Sequence, residues 1–197
     1  MKIPKLKHSE SIMPTAFTVG SFWRWAYSDI LSNANWGVFA EYLVASALGA
    51  VDHARIEWDA FDIAYGGTKI EVKSSAYLQS WPQKRPSAIR FDIGKKLSWT
   101  ADTNEYSPRP HRPADIYVFC LLAEKDRSRV NVLDTTQWQF YVLPREVLDA
   151  ELGEAKTLSL KVLEGLTEPI TYQKLKLAID ELVQNQKRSF QADGRET

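Results

Sequence analysis

An almost uninterrupted apolar run, from Asp115 to Leu122, constrains the fold of this chain more than any other feature. After the aspartate, seven consecutive residues are apolar, Ile-Tyr-Val-Phe-Cys-Leu-Leu. A run of this length is typical of a β-strand that is buried on both faces. Such a strand needs a covering layer on each side of its sheet. The sequence therefore predicts an α/β fold with a central mixed β-sheet flanked by helices.

Helical and strand patterns alternate around this run. Helices are predicted over 21–31, over 33–48, directly after Pro144 and from Thr171 onward. In the second of these, Asn33 or Asn35 is the predicted N-terminal cap and Gly49 the C-terminal stop. Strands are predicted over 54–64, 68–73, 88–93, 130–133 and 138–143. The 197 residues fit a single domain, 1–197, with a core of about 21–185 and irregular ends at 1–20 and 188–197.

Charge and cysteine content exclude several classes of protein. Lys plus Arg and Asp plus Glu number 25 each, so the chain cannot coat nucleic acid through bulk positive charge. Its one cysteine, Cys120, cannot form an internal disulfide, and no apolar stretch resembles a membrane span or a secretion signal. We therefore expect a cytoplasmic protein with no membrane attachment. No dinucleotide cofactor is expected, because the sequence lacks the glycine-rich loop that binds one.

Glu41 is the only charged residue between Asp29 and Asp52. It belongs to a predicted helix whose apolar positions go almost all the way round, which indicates a buried helix. A carboxylate in that setting loses much of its water and needs a cation, a hydrogen-bond donor or a raised pKa. Glu41 is therefore either a structural acid at the rim of the core or part of a functional site.

The dipeptide Gly66-Gly67 separates two strand-like segments and readily adopts the positive φ angles of a tight hairpin. With this turn, position 65 faces position 68, and the same register places Asp62 opposite Glu71. Strand alternation also puts Glu71 and Lys73 on one face of the sheet, about 7 Å apart along the strand. The hairpin thus predicts two carboxylates and one ammonium group side by side.

Two carboxylates directly across an antiparallel pair lie about 5 Å apart, and their repulsion needs a compensating charge. Carboxylate oxygens at this separation suit Mg²⁺, with Mn²⁺ able to replace it. Asp59 would point to the other face of its strand unless a bulge intervenes, and Asp62 is the favoured ligand. The simpler interpretation of Glu71-Val72-Lys73 alone is an ordinary strand with a solvated polar face.

Asp62, the tripeptide Glu71-Val72-Lys73 after a hairpin, and a preceding helix with Glu41 together resemble the PD-(D/E)XK nuclease superfamily with its restriction-endonuclease-like core. The resemblance implies that Asp62, Glu71 and the carbonyl of Val72 bind Mg²⁺. It implies that Glu41 ligates the metal directly or through water, or holds a second ion. Lys73 would position the attacking water, assist its deprotonation or stabilise the charge of the phosphorane.

The resemblance covers roughly residues 33–122, with Phe61 in place of the proline in the superfamily's name. Gln79 stands where some members of the superfamily carry a glutamine at the rim of the active site. This implies that Gln79 contacts the nucleic acid; an exposed polar residue is the simpler alternative.

Positive charge gathers between Lys69 and Arg112, although the whole chain is neutral. This segment holds nine Lys and Arg against four Asp and Glu, a net charge of +5, and the rest of the chain carries −5. Aromatic residues lie among the cations, as expected of a surface that contacts DNA by charge and stacking. A solvated, proline-rich loop is the simpler alternative. The candidate DNA-contacting cations are Lys84, Arg85, Arg90, Lys95, Lys96, Arg109 and Arg112.

These features predict a Mg²⁺-dependent endonuclease that acts on DNA in restriction, repair or mobile-element defence. A homodimer would be the simple way to cut both strands. The main alternative is a catalytically inactive nucleic-acid-binding module that keeps the nuclease fold. A purely structural subunit is a third hypothesis, and it requires Glu41, Asp62 and Glu71 to lie far apart.

Overall fold

The computed structural model describes residues 4–56, 60–97, 99–100 and 105–193. Its helices are α1 (Val19–Tyr27), α2 (Asn33–Leu48), α3 (Arg145–Leu152), α4 (Leu160–Leu166) and α5 (Tyr172–Asp193). Its strands are β1 (Ile63–Tyr65), β2 (Thr68–Ala76), β3 (Arg90–Asp92), β4 (Trp99–Thr100), β5 (Glu105–Tyr106), β6 (Ile116–Leu122), β7 (Trp138–Pro144) and β8 (Thr157–Ser159). Among the described residues, no helix combines the length and apolar character needed to cross a membrane.

Four strands form the central sheet, in the order β1-β2-β6-β7. β2 runs parallel to β6, whereas the β1–β2 and β6–β7 pairs are antiparallel, so the sheet is mixed. All seven residues of β6 are buried. The predicted α/β fold with a central mixed sheet is confirmed, and so is the strand buried on both faces.

Each face of the central sheet has its own apolar core. On one face, α2 and α5 pack against the sheet, and the cluster includes Val44, Val118 and Ile179. On the other face, α3, α4 and the small β3–β8 sheet enclose Phe91 and Phe119. Burial of each such side chain contributes about 1.5–3 kcal/mol. Because both layers contact β2, the strand that carries the candidate site is held from both sides.

Gly66 and Gly67 form the predicted tight turn, with φ angles of 61° and 88°. The register beyond the turn is the predicted one, with the pairs Tyr65–Thr68, Ala64–Lys69 and Ile63–Ile70. Asp62 comes next, and its backbone N–H donates a hydrogen bond to the carbonyl of Ile70 at 3.0 Å. Asp62 therefore lies just beyond the paired residues of the hairpin, near enough to Glu71 for the two charges to interact.

Substituting Gly67 by alanine should destabilise the hairpin, because a Cβ atom disfavours a φ of 88°. No neighbouring atom would touch the added methyl group, so the effect is conformational alone. We expect the free energy of unfolding in urea to fall by about 1 kcal/mol. Gly67→Asn is the matched control and should lose less stability than Gly67→Ala, because asparagine tolerates positive φ better than alanine does. An alanine variant as stable as the wild type would contradict this account.

The predicted strand over 54–64 is too long, since among its described residues only β1 is a strand. The predicted strand over 130–133 is wrong for a different reason. Here the side chain of Asn131 accepts from the N–H of Leu133 at 3.1 Å, and the N–H of Asn131 donates to Gln137 Oε1 at 2.8 Å. These local bonds offer the backbone an alternative to a sheet ladder.

The helix predictions differ from the structure mainly at their ends. α2 spans the predicted residues and stops at Gly49, whose φ is 68°. Its N-cap is Ser32, so the expectation that Asn33 or Asn35 caps it is wrong. α5 continues to Asp193, where the sequence predicts an irregular end, because Gln, Lys and Arg favour helix. The sequence pattern predicts neither α4 nor β8, which are short.

Candidate active site

Glu71 is a buried carboxylate on β2, with 3% of its surface exposed. Its Oε1 accepts hydrogen bonds from Lys73 Nζ at 2.7 Å and from Lys96 Nζ at 3.2 Å. Its Oε2 is buried and has no partner among the described residues. Because an unsatisfied buried carboxylate oxygen costs roughly 1–3 kcal/mol or more, this atom is suited to a ligand that brings positive charge.

A backbone pairing places Lys96 next to Glu71, and no local sequence pattern predicts this contact. Its N–H donates to the carbonyl of His111 at 3.0 Å, and its carbonyl accepts from the N–H of His111 at 3.1 Å. The sequence predicts only that Lys96 contacts DNA. The structure places its ammonium group against the central carboxylate of the site, with half of the side chain still exposed.

Asp62 lies beside Glu71 at the start of the hairpin. Its Oδ2 accepts a hydrogen bond from the backbone N–H of Val72 at 2.7 Å. Burial, followed by the negative charge of Glu71, raises the pKa of Asp62 to about 6, although the bond from Val72 opposes the shift. A carboxyl group whose pKa is raised by burial and by a neighbouring acid is typical of a functional site.

Lys73 projects from β2 on the same side as Glu71. Burial by itself would lower the pKa of Lys73, but the adjacent charge of Glu71 and its hydrogen bond raise it above the ordinary value. Asp62 and Asp92 add to this effect. The side chain is therefore a cation at neutral pH.

Glu41, on α2, forms a two-pronged ion pair with Arg55, a partner that no local sequence pattern predicts. Glu41 and Asp62 line one cavity of about 370 Å³, together with several alanine, valine and isoleucine side chains. The charge of Glu41 also helps to raise the pKa of Asp62. The three acids therefore lie near one another, whereas a purely structural role would require them to lie far apart.

Among the described residues, no three His, Cys, Asp or Glu side chains form a ready-made metal cluster. Two carboxylates are nevertheless enough for Mg²⁺, which commonly takes one or two protein carboxylates and keeps several waters. The unpartnered Oε2 of Glu71 and the adjacent Asp62 match that requirement. Asp59, the alternative ligand, lies outside the described residues.

A family model for bacteriophage T4 endonuclease IV matches residues 23–156, more than half of the chain. The chain belongs to this family. The matched range contains every residue of the site above, namely Glu41, Arg55, Asp62, Glu71, Lys73 and Lys96. No curated protein and no solved structure matches the chain. This endonuclease IV family member is therefore a nuclease by class.

The predicted DNA-contacting cations of this endonuclease IV family member occupy different environments. Lys95 pairs with Glu154 at 2.5 Å, and Lys96 contacts Glu71. Besides Lys96, which is half exposed but held by Glu71, four of them lie exposed: Lys84, Arg85, Arg90 and Arg109. Only exposed cations can exchange counterions for DNA phosphates, so these four remain the candidates for backbone contacts.

The prediction that Arg112 contacts DNA is wrong, because its side chain is completely buried. Its Nε donates to the carbonyl of Ile93 at 2.9 Å, and its Nη1 donates to Asp149 Oδ1 at 2.6 Å. Its Nη2 donates to the carbonyl of Ala155 at 3.2 Å. Arg112 is a structural residue that ties the loop after β3 to the end of α3.

Gln79 is also buried, with 6% of its surface exposed, so the simpler alternative, an exposed polar residue, is wrong. Its Nε2 donates to Ser87 Oγ at 3.3 Å, and its Oε1 is buried with no partner among the described residues. Its backbone N–H donates to Gln83 Oε1 at 2.7 Å. Gln79 thus organises the loop that follows β2.

Proposed function

We propose that this protein is a Mg²⁺-dependent DNA endonuclease whose site is of the PD-(D/E)XK type. The observation that carries the proposal is the buried, unpartnered Oε2 of Glu71 beside Asp62, with Lys73 on the same strand. Membership of an endonuclease family supports the reaction class. DNA is the proposed substrate because the segment with a net charge of +5 begins at this strand.

Asp62, Glu71 and the carbonyl of Val72 would hold the metal, with Mn²⁺ as an alternative to Mg²⁺. When bound, the ion would supply Lewis-acid stabilisation of the phosphate and an activated water. Glu41 would contribute through water, and it would hold the metal or a second ion directly only by releasing Arg55. The raised pKa of Asp62 favours this assignment, since a cation at the site would relieve the repulsion from Glu71.

Lys73 serves this reaction as a cation rather than as a base. Its raised pKa keeps the ammonium group protonated at neutral pH, which favours hydrogen-bond donation over general-base catalysis. A fixed ammonium group can instead donate hydrogen bonds to the attacking water and stabilise the negative charge that develops on the phosphorane. Lys96, bonded to the same oxygen of Glu71, adds a second positive charge on the solvent side.

The test is incubation of plasmid and linear DNA with the protein in Mg²⁺, in Mn²⁺ and in EDTA. We expect nicked or linear products with either metal, no product in EDTA, and recovery when excess Mg²⁺ is added. Cleavage that persists in EDTA would contradict the metal-dependent mechanism. Salt-sensitive binding without cleavage under either metal would support the inactive nucleic-acid-binding module instead. Cleavage of RNA but not DNA would contradict the proposed substrate.

A further inference from the structure

A second surface pocket, of about 670 Å³, lies beyond the end of β2 and away from the carboxylates. It is lined by Tyr77, Arg85, Pro86, Ser87, Ala88 and Lys125. Five of these residues belong to the loop 77–88, and Lys125 comes from the segment between β6 and β7. Two distant parts of the chain therefore build this pocket together.

The loop is held in shape by its own hydrogen bonds. The N–H of Ser87 donates to the carbonyl of Tyr77 at 2.8 Å and closes the loop. Gln83 Nε2 then donates to Ser87 Oγ at 3.0 Å across its interior. Because these bonds lie within the loop, the lining residues are positioned before any ligand arrives.

Arg127 fixes this loop to the second segment. Its Nη2 donates to the carbonyl of Gln79 at 2.8 Å and to that of Trp81 at 3.0 Å. Arg127 is two residues from Lys125, so the same connection that anchors the loop also positions the lysine. This contact joins residues 46 or more positions apart, and the local sequence pattern does not predict it.

The pocket carries two cations that form no ion pair among the described residues, Arg85 and Lys125. Lys125 Nζ lies over the ring of Tyr77, 4.3 Å from its centroid, which directs the ammonium group toward the pocket. The neighbouring acid Glu124 is engaged elsewhere, since its Oε1 accepts from two backbone N–H groups of its own turn and from Arg129.

The pocket lies on the same face of the central sheet as Glu71 and Lys73. Those two residues are paired across the strands with Tyr117 and Phe119, which belong to the apolar cluster against which Tyr77 packs. Tyr77 follows Lys73 by four residues, a separation of about 13 Å along the strand. A nucleic-acid strand that passes Lys73 could continue over this pocket.

We propose that Arg85 and Lys125 form a second nucleic-acid-backbone site that binds a phosphodiester group of the substrate some 13 Å from the site of cleavage. The ligand is a phosphate rather than a stacked base, because Lys125 already covers the ring of Tyr77. Two cations that line one pocket match the acceptor oxygens of a phosphate. This inference rests on the proposed function for its substrate, but it concerns binding and not the chemical step.

The test compares DNA binding by the double variant Arg85→Gln and Lys125→Gln with that of the wild type. The matched control is Lys174→Gln and Arg188→Gln, which removes two exposed cations from α5, on the opposite face of the sheet. We expect Kd to rise about tenfold in the first double variant, and the slope of log Kd against log salt to fall by about 2. The control should bind as the wild type does.

Fluorescence anisotropy with a labelled oligonucleotide in EDTA measures this binding without cleavage. Equal Kd values and equal salt slopes for the first double variant and the wild type would overturn the inference. An equal loss in both double variants would overturn it as well, because the effect would then reflect net charge. If the wild type binds DNA but never cleaves it, the proposed function fails, while the comparison of Kd values still decides this inference.

Discussion

Replacing Lys73 by methionine should lower kcat for DNA cleavage by about 10³-fold and leave DNA affinity largely intact. Methionine keeps most of the length of the side chain but removes the ammonium group that lies 2.7 Å from Glu71 Oε1. Of the two described ammonium groups that bond Glu71, that of the half-buried Lys73 lies closer to the carboxylate. Its charge is needed most when negative charge develops on the phosphate, so the loss should appear in kcat. Single-turnover cleavage of a labelled oligonucleotide in Mg²⁺ measures it.

Lys69→Met is the matched control, because Lys69 lies on the same strand but is exposed and sits over the ring of Phe61. It should cleave as the wild type does. Lys73→Arg keeps the charge and should fold normally, while its broader head group disturbs the geometry and lowers kcat. Full activity of a folded Lys73→Met protein would contradict the assignment. An equal loss in Lys69→Met would show that the strand tolerates no change in charge.

The parts of the site that could be predicted from the sequence are those that depend on local rules. A Gly66-Gly67 turn fixes the register of the hairpin, and strand alternation then determines which side chains share a face. Both rules act over a few residues, so the register from Tyr65–Thr68 to Ile63–Ile70 and the shared face of Glu71 and Lys73 follow from them. The buried strand β6 was equally predictable, because only a covered strand tolerates seven apolar residues in succession.

The parts that could not be predicted depend on contacts between distant segments. Lys96 reaches Glu71 through its backbone pairing with His111, and Arg55 reaches Glu41 across the end of α2. A basic residue in a proline-rich segment looks the same in the sequence whether it faces solvent, a carboxylate or the core. The segment with a net charge of +5 therefore divides in the structure into exposed cations, the two lysines that bond Glu71, Lys95 paired with Glu154, and the buried Arg112.

The lysines that bond Glu71 determine the balance of charge at the candidate site. Glu71 Oε1 is shared by Lys73 and Lys96, so one oxygen of the carboxylate is neutralised by the protein while the other remains without a partner. The protein thus balances part of the acidic charge itself and leaves Oε2, the atom that would bind the proposed ion, without a partner. A carboxylate with both oxygens bonded to lysines would have little need of a metal, and one with neither would destabilise the fold.

Replacing Arg112 by methionine should lower the free energy of unfolding by about 3 kcal/mol, because three bonds of a fully buried guanidinium disappear together. The carbonyls of Ile93 and Ala155 would lose their donors. Asp149 would keep access to water, since about a third of its side chain is exposed. The loss of unfolding free energy should therefore lie near the lower end of the range for a broken buried ion pair.

Thermal unfolding should show this loss as a fall in Tm of roughly 6–12 °C for a chain of this length. Arg109→Met is the matched control, because Arg109 is exposed three residues earlier, and its Tm should not change. These two variants, Arg109→Met and Arg112→Met, also distinguish an arginine that contacts DNA from one that stabilises the fold. Arg109→Met should weaken DNA binding and reduce its salt dependence without loss of stability, whereas Arg112→Met should lose stability first. If Arg112→Met keeps the Tm of the wild type and loses DNA affinity, the arginine reaches solvent and the buried contacts described for it are wrong.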